Sequence, residues 1–384
     1  MTARPRWFLA LAALAWAGVP LVCVLPAGAA GDARVMRNLT KPEHVTLEAV
    51  PLEIRDRNLA LGGMQAGAVP ADATEFDLGT FEGVQPPCRS AQLDGVGISF
   101  AVVCPDADGV EHVLYQQQGS VLRYPVPLVP RSQISLSDDG ARVAAILAEE
   151  DGPVLHVLDI QGTRDISLVG LKEPRDPVLA GSGGAVACSC LVGKRRHVVV
   201  VDLLTADARV VSGELEDVNV GAISANGRRV AFKASHGGWD DFYLTDLDRK
   251  LRHNVSDSEG DTVAVDLSQD GDTVVFVQRF GGAMGIFTAD ISSRKVANRS
   301  GVLGSVVDVI VSASGTRHAF LKGGLSPRIE VWDTKGKKES QVASVAEGCW
   351  EPTMSSDGRF VGALCAREGR EASLLTLFPL PEPE

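Results

Sequence analysis

The sequence predicts an all-β protein, a seven-bladed β-propeller of four-stranded antiparallel blades. A turn motif, Ser-x-Asp-Gly or a close variant, returns every 43 to 45 residues along the chain. Short apolar segments of four to seven residues separate the turns, and each is bounded by Asp, Gly or Asn. A period of this length that is rich in short strands is typical of propeller blades. The motif predicts turn glycines at positions 95, 140, 184, 227, 271, 315 and 358.

Residues 1–29 have the layout of a secretory signal peptide. Arg4 and Arg6 precede a nearly continuous apolar run over residues 7–25, and Ala27-Gly28-Ala29 supplies small residues for cleavage. The alternative is an uncleaved membrane anchor, because residues 7–26 are long enough to span a bilayer. We expect no membrane span in the mature chain and a periplasmic or secreted location.

An N-terminal arm or connector is predicted over residues 30–73. Apolar and polar residues alternate between Thr46 and Ile54, which indicates one strand or a packed arm. Residues 62–73 are rich in Gly, Ala and Pro, as in a connector. The propeller itself is expected over residues 74–384.

The unit from Ile134 to Val169 shows how one blade is read. Strands are predicted at 134–136, 142–148, 154–158 and 164–168, with Asp and Gly at the turns between them. After the third strand, an aspartate stands 18 or 19 residues beyond the turn glycine in five consecutive units. A ring of acidic ligands would need such a repeat, but capping of the hairpin turns is the interpretation that we favour. These aspartates are Asp159, Asp202, Asp246, Asp290 and Asp333.

The two ends of the chain are predicted to close the ring. The seventh unit stops near Pro379 after its third strand, whereas Phe76–Phe81 lies where every other unit has its fourth. Pairing of Phe76–Phe81 with Ala372–Thr376 would complete the last blade and remove an unpaired edge. Six blades are the alternative, which would require discarding the unit around Gly95.

Six cysteines follow the predicted signal peptide. Cys88/Cys104 and Cys349/Cys365 share a separation of 16 residues around a turn glycine, so each pair is expected within disulfide range across a hairpin. Cys188 and Cys190 lack the spacing of a metal or redox motif, and we expect them to be free.

The net charge of −12 disfavours nucleic acid as a partner, because phosphates demand Lys and Arg clusters. The acidity is spread along the chain, as in a soluble secreted protein, and we expect a monomer.

The repeat resembles the WD-repeat-like propeller repeat of the TolB type. The match is best at residues 223–232, Ile-Ser-Ala-Asn-Gly-Arg-Arg-Val-Ala-Phe, with Phe-Tyr-Leu-Thr-Asp-Leu following at 242–247. The resemblance covers most of residues 90–378 and implies a propeller of a mostly non-enzymatic interaction family. TolB itself has a sizeable α/β domain ahead of its propeller, and the proline usual in that turn is missing from every copy here.

Candidate chemistry is sparse in the sequence. The seven histidines show no metal-ligand spacing, no nucleophile elbow is present, and the Gly-Gly pairs precede no helix. We therefore expect no cofactor, no metal and no catalytic residues. Function is expected at the channel mouth, in the loops that lead into each blade's first strand. The interaction residues predicted there are Arg131, Arg175, Asp217, Asp261 and Trp350.

Two classes of function remain open on the sequence. The first is a secreted or periplasmic scaffold that binds a protein, peptide or ligand through its channel-mouth loops, and it is the one we favour. The alternative is a small-molecule hydrolase or lactonase-like enzyme with its site in the central channel. A set of His, Asp and Glu side chains converging in the channel would favour the enzyme.

Overall fold

The computed structural model describes residues 39–58, 65–68, 75–117, 120–160, 164–236, 238–256, 260–280, 283–299, 306–323, 327–335, 338–345, 348–367 and 370–382. These residues form seven antiparallel sheets, each a blade, and the predicted seven-bladed propeller is confirmed. The expected signal peptide over residues 1–29 lies outside the described residues. Within the described part of the chain, no helix is long and apolar enough to cross a membrane.

Five short strands precede the first complete blade. They are β1 Glu43–His44, β2 Glu48–Ala49, β3 Glu53–Asn58, β4 Gln65–Ala68 and β5 Glu75–Asp77, and a 3-10 helix at Leu78–Thr80 follows them.

The blades then follow in chain order, and each is a meander whose first strand is innermost. Blade 1 contains β6 Arg89–Leu93, β7 Phe100–Pro105, β8 Glu111–Gln117 and β9 Ser120–Arg123; blade 2 contains β10 Ile134–Leu136, β11 Arg142–Glu149, β12 Gly152–Asp159 and β13 Arg164–Val169; blade 3 contains β14 Lys172–Leu179, β15 Ala185–Val192, β16 Arg195–Asp202 and β17 Ala208–Val210.

Blades 4 to 7 repeat this order. Blade 4 contains β18 Glu216–Ile223, β19 Arg229–His236, β20 Trp239–Asp246 and β21 Leu251–Asn254; blade 5 contains β22 Asp261–Leu267, β23 Thr273–Phe280, β24 Ala283–Asp290 and β25 Lys295–Asn298; blade 6 contains β26 Val306–Val311, β27 Arg317–Lys322, β28 Arg328–Lys335 and β29 Lys338–Val345; blade 7 contains β30 Cys349–Met354, β31 Phe360–Arg367 and β32 Arg370–Pro379.

The N-terminal arm runs around the outside of the ring. Leu39 donates its backbone N–H to Arg294 on blade 5. Strands β1, β2, β3 and β4 then add a fifth strand to blades 4, 3, 2 and 1 in turn. The alternation predicted over Thr46–Ile54 thus falls on two separate edge strands, because the arm moves from blade 3 to blade 2 within that segment. The arm covers blade edges that would otherwise present unpaired backbone groups.

Strand β5 completes blade 7, as the closure prediction requires. It pairs with β32 in the register Leu374↔Asp77, Leu375↔Phe76 and Thr376↔Glu75. The strand is shorter than the predicted segment Phe76–Phe81, because Asp77 accepts a hydrogen bond from the N–H of Gly79 and starts the 3-10 helix. Phe76 packs on Phe100 of blade 1, so the closing strand also joins the core between the last and first blades.

Seven apolar clusters of described residues fill the junctions between neighbouring blades. Strand β23 shows why its sequence is apolar without interruption. Val274 and Phe276 face blade 4, whereas Val275 and Val277 face blade 6, because successive side chains of a strand point to opposite faces. Both faces of each central strand are therefore buried, so apolar and polar residues do not alternate along its sequence.

The turn glycines of two units differ from the prediction. Gly97 and Gly183, not Gly95 and Gly184, take the left-handed conformation, with φ of +72° and +68°. The corrected period is 43 or 44 residues throughout. The sequence misled because both of these units offer more than one nearby glycine. The glycine in the turn is fixed by the hydrogen bond of its N–H to the residue three positions earlier. Asp94 and Ala180 occupy that earlier position, where the other units have serine.

Three of the five repeated aspartates cap turns, as predicted, and three form ion pairs. Asp202, Asp246 and Asp290 accept backbone N–H groups of their own turns. Asp159, Asp246 and Asp333 pair with an arginine five residues after the motif's first position. That arginine reaches into the next blade, as when Arg317 donates to the carbonyl of Gly358 at 2.6 Å. The sequence alignment of units did not reveal this second role.

Two disulfide bonds link the first and second strands of blades 1 and 7. They join Cys88 to Cys104 and Cys349 to Cys365. Cys188 and Cys190 are free thiols buried between blades 2 and 3. The two bonded pairs lie on either side of the junction where the ring closes.

Candidate functional site

A closed ring of backbone hydrogen bonds surrounds one end of the central channel. Each bond joins the turn after the first strand of one blade to the same turn of the next. The seven bonds run Gly95 N–H to Asp138 O, Asp138 N–H to Gly181 O, Ser182 N–H to Ala225 O, Ala225 N–H to Gln269 O, Gln269 N–H to Ala313 O, Ala313 N–H to Ser356 O and Asp357 N–H to Gly95 O.

Three side chains on this ring bridge the channel. Gln269 of blade 5 donates to Asp138 Oδ2 at 2.9 Å, and the Ser356 hydroxyl of blade 7 donates to Asp138 Oδ1 at 2.5 Å. We call Asp138, Gln269 and Ser356 the floor network. The ring positions between them are Gly or Ala, and a Cβ on Gly95 would lie 2.7 Å from the carbonyl oxygen of Asp138. Small residues at these positions therefore leave room for the network.

Above the floor network, the channel widens into a cavity of about 510 Å³, which we call the cup. Its walls are the innermost strands of the blades, and its mouth lies at the end where the chain enters those strands. Arg89 and Arg131 stand at this mouth.

Three carboxyl groups on consecutive blades line one side of the cup, and we call them the acidic wall. They are Asp266 of blade 5, Asp308 of blade 6 and Glu351 of blade 7. Each is enclosed by protein and keeps part of its surface open to the cup. Burial raises the pKa of Asp266 to about 7 and the pKa of Asp308 to about 6. Burial also raises the pKa of Glu351.

Hydrogen bonds hold the acidic wall in place. Asp266 accepts the N–H groups of Leu267 and Val311, at 2.8 and 2.7 Å. Asp308 Oδ1 accepts the N–H of Val309 at 2.9 Å, and Glu351 accepts the N–H of Ser90 on blade 1. Asp266 and Glu351 thus connect neighbouring blades as well as facing the cup.

Strained backbone is concentrated where the innermost strands begin, and three of the strained residues, Ser90, Arg131 and Glu351, line the cup. Six residues other than glycine have φ between +46° and +64° within or just before the innermost strands of blades 1, 2, 3, 4 and 7. Such conformations cost of order 1–3 kcal/mol each and cluster at binding sites. These residues are Ser90, Arg131, Glu173, Asp176, Asp217 and Glu351.

A groove adjoins the cup at blades 1, 2 and 7. Pro87, Pro105 and Pro130 line it with Leu128 and Trp350. Arg89 and Arg131 border both the groove and the cup, so the two spaces are continuous.

The two arginines at this border are in different states. Arg89 is paired with Glu111, with its Nε 2.7 Å from Oε1, and this ion pair lowers the pKa of Glu111. Arg131 is exposed, its backbone N–H donates to Glu111, and its charge helps to lower the pKa of Glu111. Its guanidinium makes no hydrogen bond or ion pair with the described residues. Arg131 is therefore the cation at the mouth that is available to a ligand.

The structure brings together two of the five interaction residues predicted from the sequence. Arg131 and Trp350 share the groove, whereas Arg175, Asp217 and Asp261 line neither the groove nor the cup. Only Arg131 lies in a loop. The other four lie within strands β14, β18, β22 and β30, because these inner strands begin earlier than predicted and absorb the extra residues as bulges.

Sequence reasoning did not select the acidic wall or the floor network. Asp266 lies two residues before its turn motif, and Asp308 and Glu351 lie four residues before theirs. Asp266 and Asp308 stand at even offsets in the regular parts of their strands, and such positions face the channel, so this rule could have found them. Glu351 lies in the bulge of β30, where the rule does not apply. Among the described residues, no group of three or more His, Cys, Asp or Glu side chains has the arrangement of a metal site.

The fold and the cup define the protein's class as a seven-bladed β-propeller, and comparisons with solved structures agree. Oligogalacturonate lyase from Vibrio parahaemolyticus is similar with a TM-score of 0.59 and 11% identity, over 87% of this chain and 99% of that one. The Cps50 β-propeller domain of Myceliophteria thermophila has a TM-score of 0.52 and 12% identity, over 78% and 99% of the two chains.

The putative TolB from Agrobacterium tumefaciens is also similar, with a TM-score of 0.46 and 16% identity over 64% of this chain and 89% of that one. No protein-family model and no curated protein matches the chain. The propeller fold that this resemblance implied is confirmed by the seven sheets. At these identities the comparisons carry no information about ligand or activity.

Proposed function

We propose that this protein is a secreted or periplasmic binding propeller that captures a protein, peptide or ligand at the mouth of its cup, without catalytic turnover. One observation carries the proposal: an unpaired arginine, strained backbone and an apolar groove meet at the open end of a cavity whose other end is bridged by side chains. Rigid scaffolds that present irregular segments in this way are typical of binding proteins.

The test is capture by the tagged mature protein from its native envelope or culture supernatant. Arg131→Glu should reduce capture of the specific partner at least tenfold, because it reverses the free charge at the mouth. Arg209→Glu on the outer strand β17 is the matched control, since its side chain is 42% exposed and lies away from the mouth. Equal capture by both variants would contradict the proposal.

An enzyme is the second candidate, and the acidic wall is the observation that favours it. Carboxyl groups with raised pKa values can act as general acids near neutral pH. We nevertheless expect no turnover, because the Ser356 hydroxyl is bonded to the Asp138 carboxylate alone and no histidine, cysteine or lysine lines the cup within the described part of the chain. Hydrolysis of lactones or esters by the wild-type protein that is lost in Asp266→Asn would establish the enzyme instead.

A further inference from the structure

Two members of the acidic wall, Asp266 and Asp308, have no cation to balance them among the described residues, whereas the charge of Arg89 acts on Glu351. Asp266 and Asp308 accept only backbone N–H groups, and Asp308 Oδ2 accepts no hydrogen bond from the described part of the chain. The charge of Asp308 further raises the pKa of Asp266, and the charge of Glu351 that of Asp308, because like charges repel. Buried carboxylates in proteins are normally paired with a cation.

The contrast with Glu111 shows that the chain pairs its acids elsewhere at the same mouth. Glu111 receives two hydrogen bonds from the Arg89 guanidinium, and a third from the backbone N–H of Arg131. Asp266 and Asp308 lie on blades 5 and 6, and they receive no such partner from the described chain. Above their raised pKa values both groups are ionised, and a complementary cation would then come from outside.

The groove supplies a second, independent recognition element. Trp350 packs partly into the cores beside blade 7 and leaves part of its ring open to the groove. Its indole N–H donates no hydrogen bond to the described residues. Three prolines and Leu128 make the rest of this surface apolar and rigid. An aromatic ring beside an apolar wall favours a flat or aliphatic group next to a cation.

We propose that the cup and the groove together bind an organic ammonium ion with an apolar or aromatic arm, with the ammonium at Asp266 and Asp308 and the arm against Trp350. The three N–H donors of a primary ammonium match the open oxygen of Asp308 and the remaining lone pairs of Asp266. The proposal uses the mouth assigned above, but its binding step requires no protein partner.

This ligand chemistry has two sources, a free small amine and a lysine side chain of a polypeptide. The cup volume of about 510 Å³ accommodates either one. Arg131 at the mouth repels a cation, which places the ammonium on the far side of the cup, at blades 5 and 6. An anionic ligand would instead bind at Arg131, and the experiment includes that alternative.

The test is titration calorimetry of the full mature protein at pH 8 with four probes. These are 2-phenylethylamine, the capped dipeptide acetyl-Phe-Lys-amide, neutral 2-phenylethanol and the anion phenylacetate. We expect at least one of the two amines to bind at least tenfold more tightly than the alcohol and the anion. Tighter binding of the dipeptide would identify a lysine of a partner protein as the source, and tighter binding of 2-phenylethylamine a small amine.

Variants locate the binding. Asp308→Asn should weaken amine binding at least tenfold, whereas Asp207→Asn, whose side chain is 64% exposed before strand β17, should leave it unchanged. Trp350→Phe, which keeps an aromatic ring in the core, should weaken binding of 2-phenylethylamine less than Trp350→Ala does.

Either of two results would overturn the inference: equal binding of 2-phenylethanol and the amines, or unchanged amine binding in Asp308→Asn. Preferential binding of phenylacetate would also overturn it and would assign the site to Arg131. If amines fail to bind while Arg131→Glu still abolishes partner capture, the inference fails and the proposed function stands. If amines bind while Arg131→Glu leaves partner capture intact, the inference stands and the proposed function fails.

Discussion

Replacing the buried arginine of blade 6 should destabilise the propeller more than the equivalent change in any other blade. Arg317 is 1% exposed and donates to Asp333 at 2.5 and 2.7 Å, and to the carbonyls of Gly358 and Pro381 at 2.6 and 2.8 Å. Arg317→Met keeps the aliphatic stem but leaves Asp333 without its cation. Removing one partner of a buried ion pair costs about 3–5 kcal/mol.

The repeat provides matched comparisons for this change. Arg142 and Arg229 occupy the same position in blades 2 and 4, but they are 29% and 16% exposed, and each is 3.3 Å from the equivalent aspartate. Arg229 also pairs with Asp272 of blade 5 at 2.9 Å. Water can replace their lost bonds in part, so Arg142→Met should cost only about 1 kcal/mol. Arg229→Met should lie between the two.

The measurement is the free energy of unfolding from urea titrations of the three single variants. We expect the loss to follow the order Arg317, Arg229, Arg142. Adding Asp333→Asn to Arg317→Met should recover part of the loss, because it removes the unpaired charge. Equal losses in the three variants, or no recovery in the double variant, would refute the assignment of these arginines as burial-dependent clamps between blades.

Three further predictions concern the turn, the disulfides and the acidic wall. Gly97→Ala should lower the free energy of unfolding by more than 1 kcal/mol, because φ is +72° and the new Cβ would lie 2.8 Å from Phe360. Gly109→Ala, also at positive φ but in open space, should cost less. Similar urea midpoints for the two variants would contradict this. Cys349→Ser with Cys365→Ser should cost about 3 kcal/mol for a closed loop of this length, and an unchanged denaturation midpoint under non-reducing conditions would argue against it. The pKa of Asp266 is raised to about 7 in the folded state, so the proton stabilises that state and the free energy of unfolding should fall as pH rises from about 4 to about 7. Asp266→Asn should flatten this decline, measured as urea midpoints. An identical pH profile for the variant and the wild type would refute the raised pKa.

The sequence predicted the fold well because the repeat is a local property. Turn motifs such as Ser224–Gly227 recur with the period of a blade, and the missing fourth strand after Pro379 indicated closure by the segment near Phe76. Gly95 and Gly97 show the limit of this reasoning. Both are compatible with a tight turn. Gly97 takes the positive φ because its N–H bonds to Asp94 within the turn, whereas the N–H of Gly95 bonds to Asp138 of the next blade.

The cup could be predicted only in part because it is assembled from distant residues. Asp138 and Gln269 are 131 positions apart, and their hydrogen bond depends on closure of the whole ring. Bulges in strands such as β18 and β22 change the direction in which nearby side chains point, and as a result Asp217 and Asp261 do not line the cup. Arg131 was found because it stands in a loop just before a strand that begins without a bulge.

The course of the N-terminal arm could not be predicted from the sequence either. Pairs such as Glu48–Ala49 are too short to show a strand period, and their pairing with blade 3 follows from contacts more than 150 residues away. Only its alternation near Leu52 and Ile54 was visible, and these side chains pack against the core between blades 2 and 3.

Site-specific photo-crosslinking at the mouth tests the central claim most directly. A photoreactive amino acid is placed at Arg131, beside the cup and the groove, or at Leu204, which is 92% exposed in an outer turn of blade 3. Irradiation in the native envelope or culture supernatant should give one dominant adduct at position 131 and none of the same mass at position 204. The same adduct at both positions, or an adduct only at position 204, would contradict the claim that this propeller binds its partner at the mouth of the cup.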